Sequence, residues 1–244
     1  MLNGDFLIDC IKPAYLSTIV RADDRRCEFD CKNQTLLQRR TVVDLLMIGD
    51  SITQMWELQA YFNNSGLCVI NRGIGGDRTQ YLLHRFRADA LQLKPKLCVI
   101  MIGINDTWSM EEDFFRPGKI LTWDEVCNQS LYHMDKIIKL SKENNQNIAV
   151  CSILPTNMFW TQHEKERHLY VAEYNQELKR LCDAYVIDFI DYYSWFLSSD
   201  GESMNMELSV EGVHPNVFGY DIMYSILKDY LDSRDSMFKT LERA

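Results

Sequence analysis

Five short apolar runs alternate with segments of helix length, and this alternation constrains the fold more than any other feature. The runs are 42–48 (VVDLLMI), 68–70 (CVI), 97–102 (LCVIMI), 148–153 (IAVCSI) and 185–187 (YVI). Short, continuously apolar and rich in β-branched residues, they read as strands buried on both faces. Glycine follows the first at Gly49 and the third at Gly103, and Pro155 closes the fourth. Helices are predicted over 53–62, 77–91, 124–144, 164–184 and 217–232. In 124–144, Val126, Leu131, Met134, Ile137 and Ile138 fall near helical spacing. Strand–helix alternation predicts an α/β fold, a parallel sheet with helices on both faces.

The chain of 244 residues can bury one sizeable core. It shows no internal repeat and no Gly/Ser linker, so a single domain over 1–244 is expected. Residues 1–40, with the charge-dense stretch RADDRRCEFDCK (21–32), are expected to form an extension packed on that core. With 46% hydrophobic and 25% charged residues, the composition is that of a globular chain. No apolar run approaches the ~18 residues of a membrane span. Asp5 and Asp9 near the start, without a basic segment, argue against a signal peptide. A net charge of −9 argues against nucleic acid as the main partner. Eight cysteines, several in apolar runs and none in a CxxC pair, suggest free thiols and a reducing, cytoplasmic setting. Cys27 and Cys31 lack the second pair that would complete a metal site.

In an open parallel sheet, ligands bind beyond the carboxyl ends of the strands. The first such loop is GDSIT (49–53), where Ser51 would sit exposed at a helix start, although Asp50 or Ser51 could equally be a helix cap. The second is NRGIGGD (71–77). It fails the dinucleotide pattern GxGxxG because position 78 is Arg78. The third, GIND (103–106), offers the amide of Asn105, a donor into a cleft or an ordinary turn residue. Before the last helix lies EGVHP (211–215), where Glu211 can fold back onto His214. The connection 189–213 is long enough to suggest a functional role. His84 and His133 fall in helical segments. His163 and His168 do not make HExxH, because position 167 is Arg167, and a spacing of five does not share a helix face. No metal site is expected.

Together these loops supply a nucleophile, oxyanion donors, a base and an acid. At these residues the chain resembles the SGNH hydrolases, also called the GDSL esterase/lipase family, in four blocks that keep their order over 42–232. The resemblance implies a three-layer α/β/α sandwich with a flavodoxin-like five-stranded parallel sheet, and no metal or organic cofactor. It implies Ser51 as nucleophile and His214 as general base. The oxyanion hole would be the N–H groups of Ser51 and Gly76 with the Asn105 amide. The family's acid is usually aspartate, and here the position is Glu211, so Asp191 or Asp200 is a possible substitute. Asp50 and the tryptophans Trp56, Trp108 and Trp160, each near a strand-end loop, are expected at the cleft. The expected activity is hydrolysis of short acyl esters, acetyl above all, on a small molecule or carbohydrate. Two alternatives keep the same fold: acyl transfer to a sugar or other alcohol, and non-catalytic carbohydrate binding. Oligomeric state is not legible.

Overall fold

A computed structural model describes residues 11–12, 20–112 and 119–234. Its centre is a five-stranded, all-parallel sheet in the order β2-β1-β3-β4-β5. The strands are β1 (Leu45–Gly49), β2 (Val69–Gly73), β3 (Leu97–Met101), β4 (Ile148–Cys151) and β5 (Asp188–Ile190). Every residue of β1, β3 and β4 is buried, as expected of strands covered on both faces. The α/β architecture read from the sequence is the one observed.

The helices form two layers. Helices α4 (Thr79–Asp89), α5 (Trp123–Glu143) and α6 (Glu164–Tyr185) pack side by side on one face. Helices α2 (Ser51–Met55), α3 (Leu58–Phe62) and α8 (Val217–Ser233) share the other, joined by the rings of Trp56 and Tyr220 and of Tyr61 and Tyr224. Helix α5 starts with a capping box between Thr122 and Glu125 and buries Val126, Met134, Ile137 and Ile138 against the sheet.

Helix α1 (Val20–Gln38) belongs to the stretch expected as an extension, and it packs beside α4. Its Phe29 is fully buried with the Arg72 guanidinium over the ring at 4.8 Å. Its Asn33 donates to Ala88 O and Asp89 and accepts from Arg72. Residues 1–10 and 13–19 lie outside the described residues.

The structure departs from three expected elements. The predicted helix 53–62 is two short helices, because Trp56 takes an extended backbone conformation (ψ 113°) and ends α2. The fifth strand lies at Asp188–Ile190, not at 185–187: α6 runs on to Tyr185 and Val186 caps it in the left-handed region (φ 56°). Helix α4 begins at Thr79, which leaves Asp77 in the loop before it. The connection expected over 189–213 holds the short helix α7 (Tyr193–Phe196) and two isolated bridges, Leu197 with Met204 and Ser209 with Pro215.

Candidate active site

Strands β2, β1 and β3 end level with one another, with Gly49 opposite both Gly73 and Met101. The loops that follow therefore meet at one edge of the sheet. The Asp50 carboxylate caps α2 by accepting from Ile52 N at 3.0 Å, which turns the chain sharply and leaves Ser51 at the mouth. The loop after β2 lies directly on α2. A Cβ at Gly73 would fall 2.2 Å from Gln54 N, so only glycine permits this approach. Gln54 closes the contact by accepting the Gly75 N–H at 2.6 Å. Among the described residues, the N–H groups of Ser51 and Gly76 have no acceptor.

Asn105 follows β3 in a 3-10 turn, Ile104–Met110. Its Nδ2 donates to Asp77 O at 3.1 Å and its Oδ1 accepts from Trp108 Nε1 at 3.3 Å. One amide hydrogen remains unused beside the cleft.

His214 comes from the loop that leads into α8. Its loop is folded by Ser209, whose hydroxyl donates to His214 O and accepts from Gly212 N. Gly212 (φ 90°) sits against Asn157, where a Cβ would come 2.2 Å from the backbone oxygen. Asn157 N donates to Gly212 O at 2.8 Å, which docks this loop on the segment after β4. The His214 Nδ1–H donates to the Glu211 carboxylate, and Nε2 lies 2.8 Å from Ser51 Oγ. With Nδ1 protonated, Nε2 is the ring's acceptor, and it faces the Ser51 hydroxyl. Asp191 and Asp200 are taken up by local turns. Asp191 accepts from Ser152 and Ser194, and Asp200 from Ser198, Glu202 N and Ser203.

A charged framework lies beneath these groups. The fully buried Arg85 donates to Gly49 O at 3.0 Å, Arg72 O at 2.9 Å, Asp77 at 2.8 Å and Asp89 at 3.2 Å. It thereby ties the end of β1 to the glycine loop. Burial pushes the Asp50 carboxyl up to about 7 against the pull of the Ile52 N–H. Burial also pushes Asp77 up to about 6, although Arg85 favours its charge. Asp106 is likewise raised by burial, while accepting from Thr79 N and Oγ1.

The cleft above has a volume of about 170 Å³ and is lined by Ser51, Asn105, His214 and Glu211 together with Ile104, Thr107, Trp108, Met158, Trp160 and Val213. Trp108 and Trp160 stand at its mouth, 40% and 50% exposed. Two expectations are corrected. Trp56 is 2% exposed and stacks on Tyr220 at 5.6 Å, so it is a core residue and not part of the cleft. Asp50 is 1% exposed and faces the backbone of α2, so it shapes the turn and does not reach a ligand. Three residues escaped the sequence reading: Gln54, Arg85 and Arg167. Arg167, fully buried, donates to Thr107, Thr161, Glu164 and Glu111 and lies 5.7 Å from the Trp108 ring. A signal existed for the arginines. Arg85 shares a helical stripe with Leu82 and Phe86, and Arg167 with Tyr170, Val171 and Tyr174.

Among the described residues, no group of three or more His, Cys, Asp or Glu side chains is arranged to hold a metal. His168 Nε2 lies 3.0 Å from Thr156 O and 3.2 Å from Glu164, and Cys27 and Cys31 are exposed on α1. No helix among the described residues is long and apolar enough to cross a membrane.

Comparison with known proteins gives a consistent result. Residues 47–222 match the GDSL-like lipase/acylhydrolase family. An acetylxylan esterase of Geobacillus stearothermophilus is 25% identical over 203 residues, covering 73% of this chain and 89% of that protein. The human platelet-activating factor acetylhydrolase IB subunit alpha2 is 31% identical over 103 residues, covering 38% of this chain and 42% of that protein. The crystal structure of a GDSL-like lipase from Bacteroides thetaiotaomicron superposes with a TM-score of 0.71 at 25% identity, covering 85% of this chain and 97% of that one. Four sequence blocks, a parallel sheet in this order and a family match over most of the chain coincide: the chain belongs to the GDSL-like lipase/acylhydrolase family, whose members are carboxylic ester hydrolases.

Proposed function

We propose that the protein is a serine esterase that removes short acyl groups, acetyl above all, by way of a Ser51 acyl-enzyme. The observation that carries this reading is the 2.8 Å contact between Ser51 Oγ and His214 Nε2, with Glu211 on the other ring nitrogen. His214 takes the Ser51 proton as Oγ attacks the ester carbonyl, and Glu211 stabilises the imidazolium. The oxyanion accepts from Ser51 N–H, Gly76 N–H and the unused N–H of Asn105. The intermediate collapses as His214 protonates the leaving alcohol. Water, deprotonated by the same imidazole, then releases the acid and restores Ser51.

Cleft size favours a small acyl group. About 170 Å³ is below the ~300–1,000 Å³ of pockets that enclose drug-sized ligands. Trp108 and Trp160 would contact the alcohol portion at the mouth, and rings there suit a sugar or an aryl group. The similarity to an acetylxylan esterase supports an acetylated carbohydrate as the substrate class. The cysteines among the described residues are all unpaired, which suits a reducing, cytoplasmic setting.

The test is active-site labelling with a fluorophosphonate, followed by turnover of aryl esters of rising chain length. Ser51 should carry the label. Ser51→Ala should lose more than about 10⁴-fold in kcat. Activity should fall steeply beyond butyrate. Wild-type turnover by Ser51→Ala would overturn the proposal.

A further inference from the structure

An asparagine amide can serve an oxyanion only if it is held with nitrogen, not oxygen, toward the reacting carbonyl. Two neighbours fix this orientation at Asn105. The Asp77 carbonyl, 3.1 Å from Nδ2, can only accept, and the Trp108 indole, 3.3 Å from Oδ1, can only donate. A flipped amide would set oxygen against oxygen and N–H against N–H, so both contacts select the same face. Trp108 is itself held from within. The fully buried Arg167 guanidinium lies 5.7 Å from its ring and is pinned by Glu111, Glu164, Thr107 and Thr161. Trp108 and Asn105 sit three residues apart in one 3-10 turn, where side chains at that spacing eclipse.

We propose that Trp108 is a positioning residue for the reaction: its indole N–H holds Asn105 Oδ1 and so aims the unused amide hydrogen into the cleft. The inference rests on the reading of Asn105 as an oxyanion donor. It adds a second role to the expectation that Trp108 lines the cleft. A wall contributes through ring area and contact with substrate. A positioning residue contributes through one N–H and acts only where Asn105 is present.

The experiment is a double-mutant cycle on p-nitrophenyl acetate with Trp108→Phe, Asn105→Ala and the pair, resolving kcat from KM. Trp108→Phe should lower kcat about tenfold and leave KM within about twofold. Asn105→Ala should lower kcat about 10²–10³-fold, and adding Trp108→Phe to it should cost nothing more. Benzothienylalanine at position 108, which keeps the ring shape and lacks the N–H, should reproduce the loss even if the phenylalanine variant misfolds. Unchanged kcat with benzothienylalanine, equal losses with and without Asn105, or an effect on KM alone would overturn the inference and leave the serine mechanism intact. Wild-type turnover by Ser51→Ala, run in parallel, would instead overturn the esterase reading beneath it.

Discussion

Each wall of the cleft rests on a fully buried arginine, and the two are anchored in different ways. Arg85, under the Ser51 and glycine-loop wall, donates to two backbone carbonyls and two buried carboxylates. Arg167, under the Trp108 and Trp160 wall, donates only to side chains, and its carboxylate partners Glu111 and Glu164 keep some access to solvent. Arg85 therefore fixes main chain beside the serine, whereas Arg167 fixes the side chains that set the width of the mouth. One wall is built for position and the other for shape.

Replacing each arginine by methionine breaks the comparison most directly. Arg85→Met leaves Asp77 buried without a cation, a loss of about 3–5 kcal/mol in stability measured by urea unfolding, together with a drop in kcat. Arg167→Met should cost less, about 1–3 kcal/mol, because water reaches its carboxylates. Its signature should lie in KM and in a shifted preference between acetyl and butyryl esters. Equal destabilisation by the two variants would dissolve the contrast.

A pH-dependent effect sharpens the picture of the first wall. The Asp50 carboxyl titrates near 7 when folded and near 3.8 when exposed. Over that interval the folded state holds a proton that the unfolded state has released, so stability falls as pH rises from about 4 to about 7. Asp50→Asn keeps the acceptor for Ile52 N and removes the titration. It should melt above the parent at pH 8 and with it at pH 4, the gap opening between those values, read by calorimetry.

The meeting of Ser51, Asn105, Glu211 and His214 at one cleft was legible in the sequence because each sits in a short block, and four blocks in order carry the family resemblance. Fold class was legible for a related reason, since strands buried on both faces leave continuous apolar runs. The arginines were not, because part of each partner set is distant: Arg85 meets Gly49 across 36 positions and Arg167 meets Glu111 across 56. An arginine inside an apolar helical stripe looks like an interruption until its acceptors are known. The fifth strand was misplaced because YVI has stronger strand character than DFI. The true strand tolerates Asp188 because β5 is an edge strand, where Arg234 and Tyr230 reach the carboxylate. Helices α2 and α3 read as one because no glycine or proline marks the break at Trp56.

The 163 positions between the paired serine and histidine have a consequence for biosynthesis. All five strands precede His214 in chain order. In the proposed mechanism, a chain synthesised only as far as its strands holds Ser51 without the imidazole that would take its proton. The proposed reaction therefore waits on the segment around Gly212, which must be made and seated against Asn157 before the pair can form.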